Sequence, residues 1–401
     1  MNALKRAAIP LLDRLLPSRD GDRGVLFIAL AQFGLAFSFN VVMSFMPFYI
    51  VKISPYGQSG TILWIGMIMG LQSFFAAATA PLWGSLTARY SPKALFQWPF
   101  FSNGVVFLLM GFTDSLPLLL LLRLIQGMLG GASTVGLFMI SQLSPSHRLA
   151  GNLGLYQSSM TAGQLLGPVV GAYAAAHLGY RAPFILSVGL IALCLALVHI
   201  TVADLPRRAA ERERKSPVSR GVLWGWGVSC IATINLTFLP SILPHLMAGF
   251  DLVGEQALKS AGFIMMSYTL TAIVGSYVIS RLSTRVEFKG GIMALCLTSA
   301  ALMLALYFAR GVIGFAAIRM LQTGIIAAVI PLVMANFASQ MGGTGIGFLN
   351  SARFAGNGFG PLLATIVLAG SGLLTLYLLI AALTVGAVLA FWLTGENRNS
   401  A

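Results

Sequence analysis

The chain repeats its own wording at a constant interval. RLIQG at Arg123 to Gly127 returns as RMLQTG at Arg319 to Gly324, and LTARYSPK at Leu86 to Lys93 returns as LSTRVEFK at Leu282 to Lys289, each about 196 residues further on. GQLLGP at Gly163 to Pro168 returns as GNGFGP at Gly356 to Pro361, with the interval shortened to about 193. Two homologous halves therefore lie head to tail. Both are apolar: hydrophobic residues make up 57% of the sequence and charged residues only 9%, against roughly 25% charged in soluble domains.

A mean hydropathy of +0.85 exceeds what a soluble core requires. A membrane-spanning helix takes about 20 apolar residues, and twelve such runs are present. They cover approximately 24–51, 61–84, 94–112, 116–142, 152–176, 182–203, 221–248, 260–281, 290–309, 311–336, 345–369 and 371–394. Six and six match the repeat. The runs are continuous and rich in Leu, Ala, Gly and Met, unlike the alternating ten-residue segments of a membrane barrel. The predicted fold is all-α, with twelve transmembrane helices in two pseudo-symmetric six-helix bundles. Such a duplication encloses a path at its internal interface, as transporters do.

Residues 1–23 carry Lys5, Arg6, Arg14, Arg19 and Arg23 around a short LLDRLL stretch, too polar for a signal peptide. They read as a cytoplasmic amphipathic lead-in to the first bundle, 24–203. A basic mixed-charge linker, 204–220, precedes the second bundle, 221–394, and a tail, 395–401. With the N-terminus inside, cytoplasmic segments hold 18 of the 25 Lys and Arg residues and external loops hold four. Basic residues are retained on the cytoplasmic side, so both termini are expected there. The net charge of +14 borders membrane spans and forms no nucleic-acid-binding stripe. Cys194, Cys230 and Cys296 lie in apolar runs without CxxC spacing, giving no disulfide or metal site. No cofactor is expected.

In span number, central linker and motif positions the chain resembles the major facilitator superfamily over roughly 24–394. The most specific segment is GQLLGPVVG in helix 5, where Gly163, Gly167, Pro168 and Gly171 resemble the antiporter motif of the drug/proton branch. Helix 11 carries the related NSARFAGNGFGP, with Gly360 and Pro361. RLIQG matches a second family motif through Arg123, Gln126 and Gly127. GSLTARYSPK is an altered copy of a third: Gly84, Arg89 and Lys93 stand in place, while Ala88, Ser91 and Pro92 replace the usual Asp, Gly and Arg. With Arg285 and Lys289 of the second copy, these form the expected cytoplasmic gate, its charge lock weakened or rebuilt without the usual Asp. The resemblance implies alternating access, efflux and a central cavity lined by helices 1, 4, 7 and 10.

The glycines at 163, 167 and 171 recur every four residues. They make a smooth stripe for close helix approach, and Pro168 bends the helix; ordinary packing and a rocking role both fit. Arg123 and Arg319 lie about eight residues inside their spans, where a guanidinium must face water, a partner or a ligand. The resemblance puts them on opposite cavity walls as substrate contacts. The alternative is that each braces carbonyls or a neighbouring glutamine, Gln126 or Gln322. Arg353 in helix 11 has no counterpart in the first half, where Met160 stands. Asn40 and Asn235 add polar contacts midway along helices 1 and 7.

All eleven acids fall outside the predicted helix interiors. The usual proton-coupling carboxylate is absent, leaving Asp114 at a span edge and His245 as candidates. A cavity with arginines and no acids prefers anionic or zwitterionic small molecules. Three readings stay open: proton-linked efflux, uptake or exchange of an organic anion, and a non-transporting receptor or scaffold. Enzymatic chemistry lacks a site. The expected setting is a bacterial inner membrane, with small-molecule substrate, protons and lipid as partners and a monomer as the working unit.

Overall fold

The computed structural model describes residues 20–86, 89–145, 148–204, 220–282, 288–338 and 343–394, which form helices joined by short loops, with no strand among them. The helices are α1 (Asp20–Ile53), α2 (Gln58–Leu86), α3 (Pro92–Phe112), α4 (Leu116–Met128), α5 (Ala132–Leu143), α6 (Leu149–Leu178) and α7 (Ala182–Thr201) in the first half. The second half holds α8 (Arg220–Thr237), α9 (Leu239–Gly249), α10 (Gly254–Leu282), α11 (Phe288–Ala305), α12 (Val312–Ile326), α13 (Val329–Ala338), α14 (Gly343–Gly370) and α15 (Leu373–Thr394). The lead-in before residue 20, nearly all of the linker, the tail and Arg285 lie outside the described residues.

Three predicted spans are broken helices. Span 4 divides into α4 and α5 at Gly130 and Gly131, and the Trp83 indole N–H donates to the Met128 carbonyl at the break (3.0 Å). Span 7 divides into α8 and α9 at Phe238, because Pro240 has no N–H to offer the Leu236 carbonyl. Span 10 divides into α12 and α13 just before Pro331. In hydrocarbon an unpaired carbonyl costs several kcal/mol, so each break needs a donor from a neighbouring helix.

Ten of the described spans are long and apolar enough to cross a membrane. The two remaining long helices, α6 with 30 residues and α14 with 28, carry the Gly-, Ser-, Asn- and Gln-rich segments. Their polarity matches their position, since both pack against helices on two sides. On α6, Gly163, Gly167 and Gly171 face α1: a Cβ at these positions would meet the Phe33, Phe37 and Val41 carbonyls. On α14, Gly356 and Gly360 face α8, against Thr233 and Thr237. The glycine stripe thus joins helices of one half, and the contact with the other half lies on a different side of the same helices.

Gly167→Leu is expected to lower stability by about 1–3 kcal/mol, the typical cost of overpacking. Gly154→Leu, where a Cβ has nothing within 4 Å, should be neutral. Thermal unfolding of the two purified variants in detergent measures the difference.

Candidate functional site

Each half is built around one buried arginine. Arg123 on α4 is 1% exposed; its Nε donates to the Ile68 carbonyl of α2 (3.2 Å) and one terminal nitrogen to Gln126 Oε1 (2.5 Å). The other terminal nitrogen meets Met43 Sδ of α1 (2.9 Å), and the guanidinium lies 5.4 Å from the Phe39 ring. Gln126 passes the link on to Asn103 of α3 (2.7 Å). In the second half Arg319 on α12 is 0% exposed and donates to Gln322 Oε1 (2.5 Å) and to the Asn235 and Leu236 carbonyls of α8 (2.8 and 3.3 Å). It therefore serves the carbonyl that Pro240 leaves without its helical donor. Gln322 donates to Asn235 Oδ1 and Ser299 Oγ, both at 2.9 Å. Phe238 and Tyr268 stack on the guanidinium at 4.8 and 5.1 Å.

Arg123, Gln126, Arg319, Gln322 and Asn235 are the expected substrate contacts of a central cavity. All five are buried, and every partner of each arginine belongs to its own half. In the described state each arginine braces its own half, since a guanidinium with several fixed donors is satisfied best where acceptors from different helices converge. No carboxylate takes part. The positive charge rests on carbonyl and amide dipoles and aromatic faces. Asn103 and Ser299 complete the two networks; the 196-residue interval that relates the arginines also relates this pair, so the repeat held the signal for them.

The halves meet along a seam closed from the loop end opposite the termini to about mid-depth. There Gly66 and Gly70 of α2 press on Thr365, Leu362 and the Gly358 carbonyl of α14, and Phe74 meets Phe359 edge-on at 4.9 Å. Gly262 of α10 presses on Ala172 and the Pro168 carbonyl of α6. At the very end His177 Nε2 of α6 lies 3.2 Å from Glu255 Oε1 of α10, and Gln58 Nε2 of α2 lies 3.3 Å from His245 Nδ1 of α9. Toward the terminal end the α10-facing side of α6 is exposed at Gly154 and Gln157, and Tyr277 on α10 is 66% exposed.

Arg353 sits where the closed seam gives way to open space. It shares one face of α14 with Asn357, Pro361, Ala364 and Leu368, at helical spacing. That face is buried at Pro361, Ala364 and Leu368, half-buried at Asn357, and exposed at Arg353. The opposite side shows Ile366, 58% exposed, as a lipid-facing surface does. Arg353 makes no hydrogen bond or ion pair with a described residue. On α6 the corresponding face carries Met160 and Gln164, both half-buried. Asn40 on α1 is half-buried beside Gly167, its amide nitrogen returning to the Ala36 carbonyl (2.8 Å).

Asp114 is an exposed loop residue between α3 and α4, accepting a hydrogen bond from Tyr49 (3.3 Å). At the terminal end Lys93 Nζ donates to the His199 carbonyl (2.9 Å) and Ser91 to Asp204, so this loop is tied to the end of α7 in its own half. Arg89 is exposed, Lys289 half-buried, and Gly84 lies in the last turn of α2.

Two six-helix halves, each riveted internally and meeting at a seam closed at one end and open at the other, define a membrane transporter rather than an enzyme. The Major Facilitator Superfamily profile matches residues 28–258, and the chain belongs to that family. Multidrug resistance protein MdtG of Klebsiella pneumoniae (strain 342) is 25% identical over 358 residues, 86% of each chain. The protein of the same name from Enterobacter lignolyticus (strain SCF1) is 26% identical over 360 residues, 86% of this chain and 85% of that one. Among solved structures, a bacterial homologue of the human lysosomal transporter Spinster, inward-facing and occupied, superposes with a TM-score of 0.74 at 14% identity, covering 92% of this chain and 94% of that one. The human organic anion transporter MFSD10 gives 0.67 at 16% identity, covering 93% and 100%.

Arg123→Ala strips donors from the Ile68 carbonyl and Gln126 together, and is expected to cost on the order of 3 kcal/mol. The loss should appear as a lowered unfolding temperature of the purified protein, independent of any added substrate.

Proposed function

We propose that this transporter exports small organic molecules in exchange for protons, and that Arg353 selects anionic or zwitterionic substrates. The observation that carries the substrate reading is the exposed Arg353, without a partner among the described residues, at the mid-depth end of the closed seam. A guanidinium there is open to a carboxylate or phosphate approaching from the terminal side, and its planar fork fits either with paired hydrogen bonds.

Support for export comes from the relatives called multidrug resistance proteins, aligned over most of the chain. Support for orientation comes from the basic residues concentrated on the terminal side, as expected of a cytoplasmic face. In that orientation the described state is closed outside and open inside. The halves then rock about the seam, exchanging the closed outer contact for one at the inner end. Substrate and proton bias the two states through differential affinity. Everything this cycle requires lies within one chain, so a monomer suffices. Among the described residues the span interiors hold no carboxylate, so the proton must be carried near a span edge, where His245 and Asp114 lie.

Arg353 without an acidic neighbour also fits uptake or exchange of an organic anion, and one assay separates the two. Everted vesicles with an acid-inside gradient should show gradient collapse on addition of exported compounds; binding of anions without collapse would favour exchange. Arg353→Gln is expected to weaken the response to anionic compounds about tenfold or more, the loss of one charge-assisted contact, and to spare neutral ones. An equal loss for both classes would remove Arg353 from the site.

A further inference from the structure

An acid and a base share one rim at the loop end opposite the termini without pairing. Between α3 and α4 an open groove of about 560 Å³ cuts into that end, with Leu109, Phe112, Leu118 and Leu122 as its walls and Asp114 and Ser115 at its mouth. Leu109, Phe112 and Leu118 are exposed, as side chains turned to lipid are. The groove is separate from the seam, which α2, α6, α10 and α14 form. Tyr49 of α1 holds its mouth in place: the hydroxyl reaches the Thr113 carbonyl (2.7 Å) and Asp114 Oδ1 (3.3 Å). Asp114 Oδ2 accepts no hydrogen bond from a described residue. Arg181, exposed just before α7, sets its guanidinium 5.9 Å from the ring of Phe112, one of the groove's own walls. Both charges act on the Tyr49 hydroxyl, yet they form no ion pair with each other. The fold does not demand this acid. At the repeat interval the second half carries Arg310 for Asp114, Phe308 for Phe112 and Gly314 for Leu118, so the carboxylate and the full apolar wall belong to the first half.

We propose that this groove binds a phospholipid with a primary-amine headgroup, phosphatidylethanolamine in type, from the leaflet at that end of the protein. An acyl chain lies along Leu118 and Leu122, one helical turn apart, with Leu109 and Phe112 opposite. The ammonium donates to Asp114, and the phosphate accepts from Arg181, whose planar fork fits two phosphate oxygens. Opposite charges kept apart on the rim match a headgroup that keeps the same two charges apart in the reverse order. A choline ammonium has no N–H to give Asp114, and a glycerol headgroup has no cation, so lipids of either kind bind less tightly. The site is independent of what the central path carries.

Native mass spectrometry of the whole protein, delipidated in detergent and given one lipid at a time with identical chains, reads the affinities. Phosphatidylethanolamine should be retained as a single adduct about two- to fivefold more tightly than phosphatidylcholine or phosphatidylglycerol, the range for an exposed charged contact. Asp114→Asn keeps an oxygen for Tyr49, and so keeps the loop, but should abolish this preference. Unchanged phosphatidylcholine retention in that variant reports an intact groove. Arg310→Gln, at the matching place in the other half, should leave the preference as it is. Arg181→Gln should weaken all three lipids alike, since each carries the phosphate. Phosphorylethanolamine, the headgroup without chains, should fail to compete at equal concentration. Equal retention of the three lipids by the parent, or a preference that survives Asp114→Asn, overturns the site. Undiminished retention in Arg181→Gln overturns the phosphate contact, and competition by the free headgroup overturns the apolar wall as anchor.

Discussion

A guanidinium inside a membrane bundle has to be satisfied entirely by its neighbours, and in this protein that requirement organises each half. Isolated ion burial is among the most expensive events in protein folding. Among the described residues no acid offsets it: Arg123 and Arg319 direct their donors to carbonyls and glutamines drawn from several helices, Arg319 Nε alone finding no acceptor, with aromatic rings on the guanidinium faces. Removing either arginine leaves its glutamine oxygen, and in the second half the Leu236 carbonyl, without that donor, so the half is committed to one arrangement of its helices. In the second half the commitment is tighter, because Arg319 takes over the carbonyl that Pro240 strands. The broken helix and the buried charge answer one another.

Rigid halves are a precondition for a moving seam. The glycine stripe of α6 against α1, and that of α14 against α8, bring backbones close enough that neither pair can slide without a clash. The same two helices turn a second side to the opposite half, through Pro168 and Ala172 on one and Gly358, Leu362 and Thr365 on the other. Small residues and edge-on rings give that surface contact without polar anchors, apart from the histidine contacts at the end opposite the termini. Such a surface can separate at low cost in unsatisfied groups, whereas the arginine networks cannot.

The contrast between the arginines explains how one chain separates structure from chemistry. Arg123 and Arg319 recur at the repeat interval because both halves need the same brace. Arg353 has Met160 as its counterpart, so the fold does without a cation at that register in the first half. Its place on α14, exposed where the seam opens, is what the proposed substrate role rests on.

Much of the architecture was legible in the residues alone. The number of spans, their pairing into two halves, the repeat and the helical class follow from apolar run length and internal similarity, because a bilayer leaves a spanning segment few options. Asn103 and Ser299 were within reach of the same reasoning through the repeat interval. The direction in which Arg123 and Arg319 face was not, since depth in a span says nothing of rotation about the helix axis. Nor did the wording of the chain reveal that His177 and Glu255, 78 positions apart, would meet. By itself the sequence determined which segments enter the membrane and that a buried cation there must be neutralised or solvated. Only the tertiary packing decided which arginines are walled in and which one faces open space, because helix rotation and the state of the seam are set by neighbours far away in the chain.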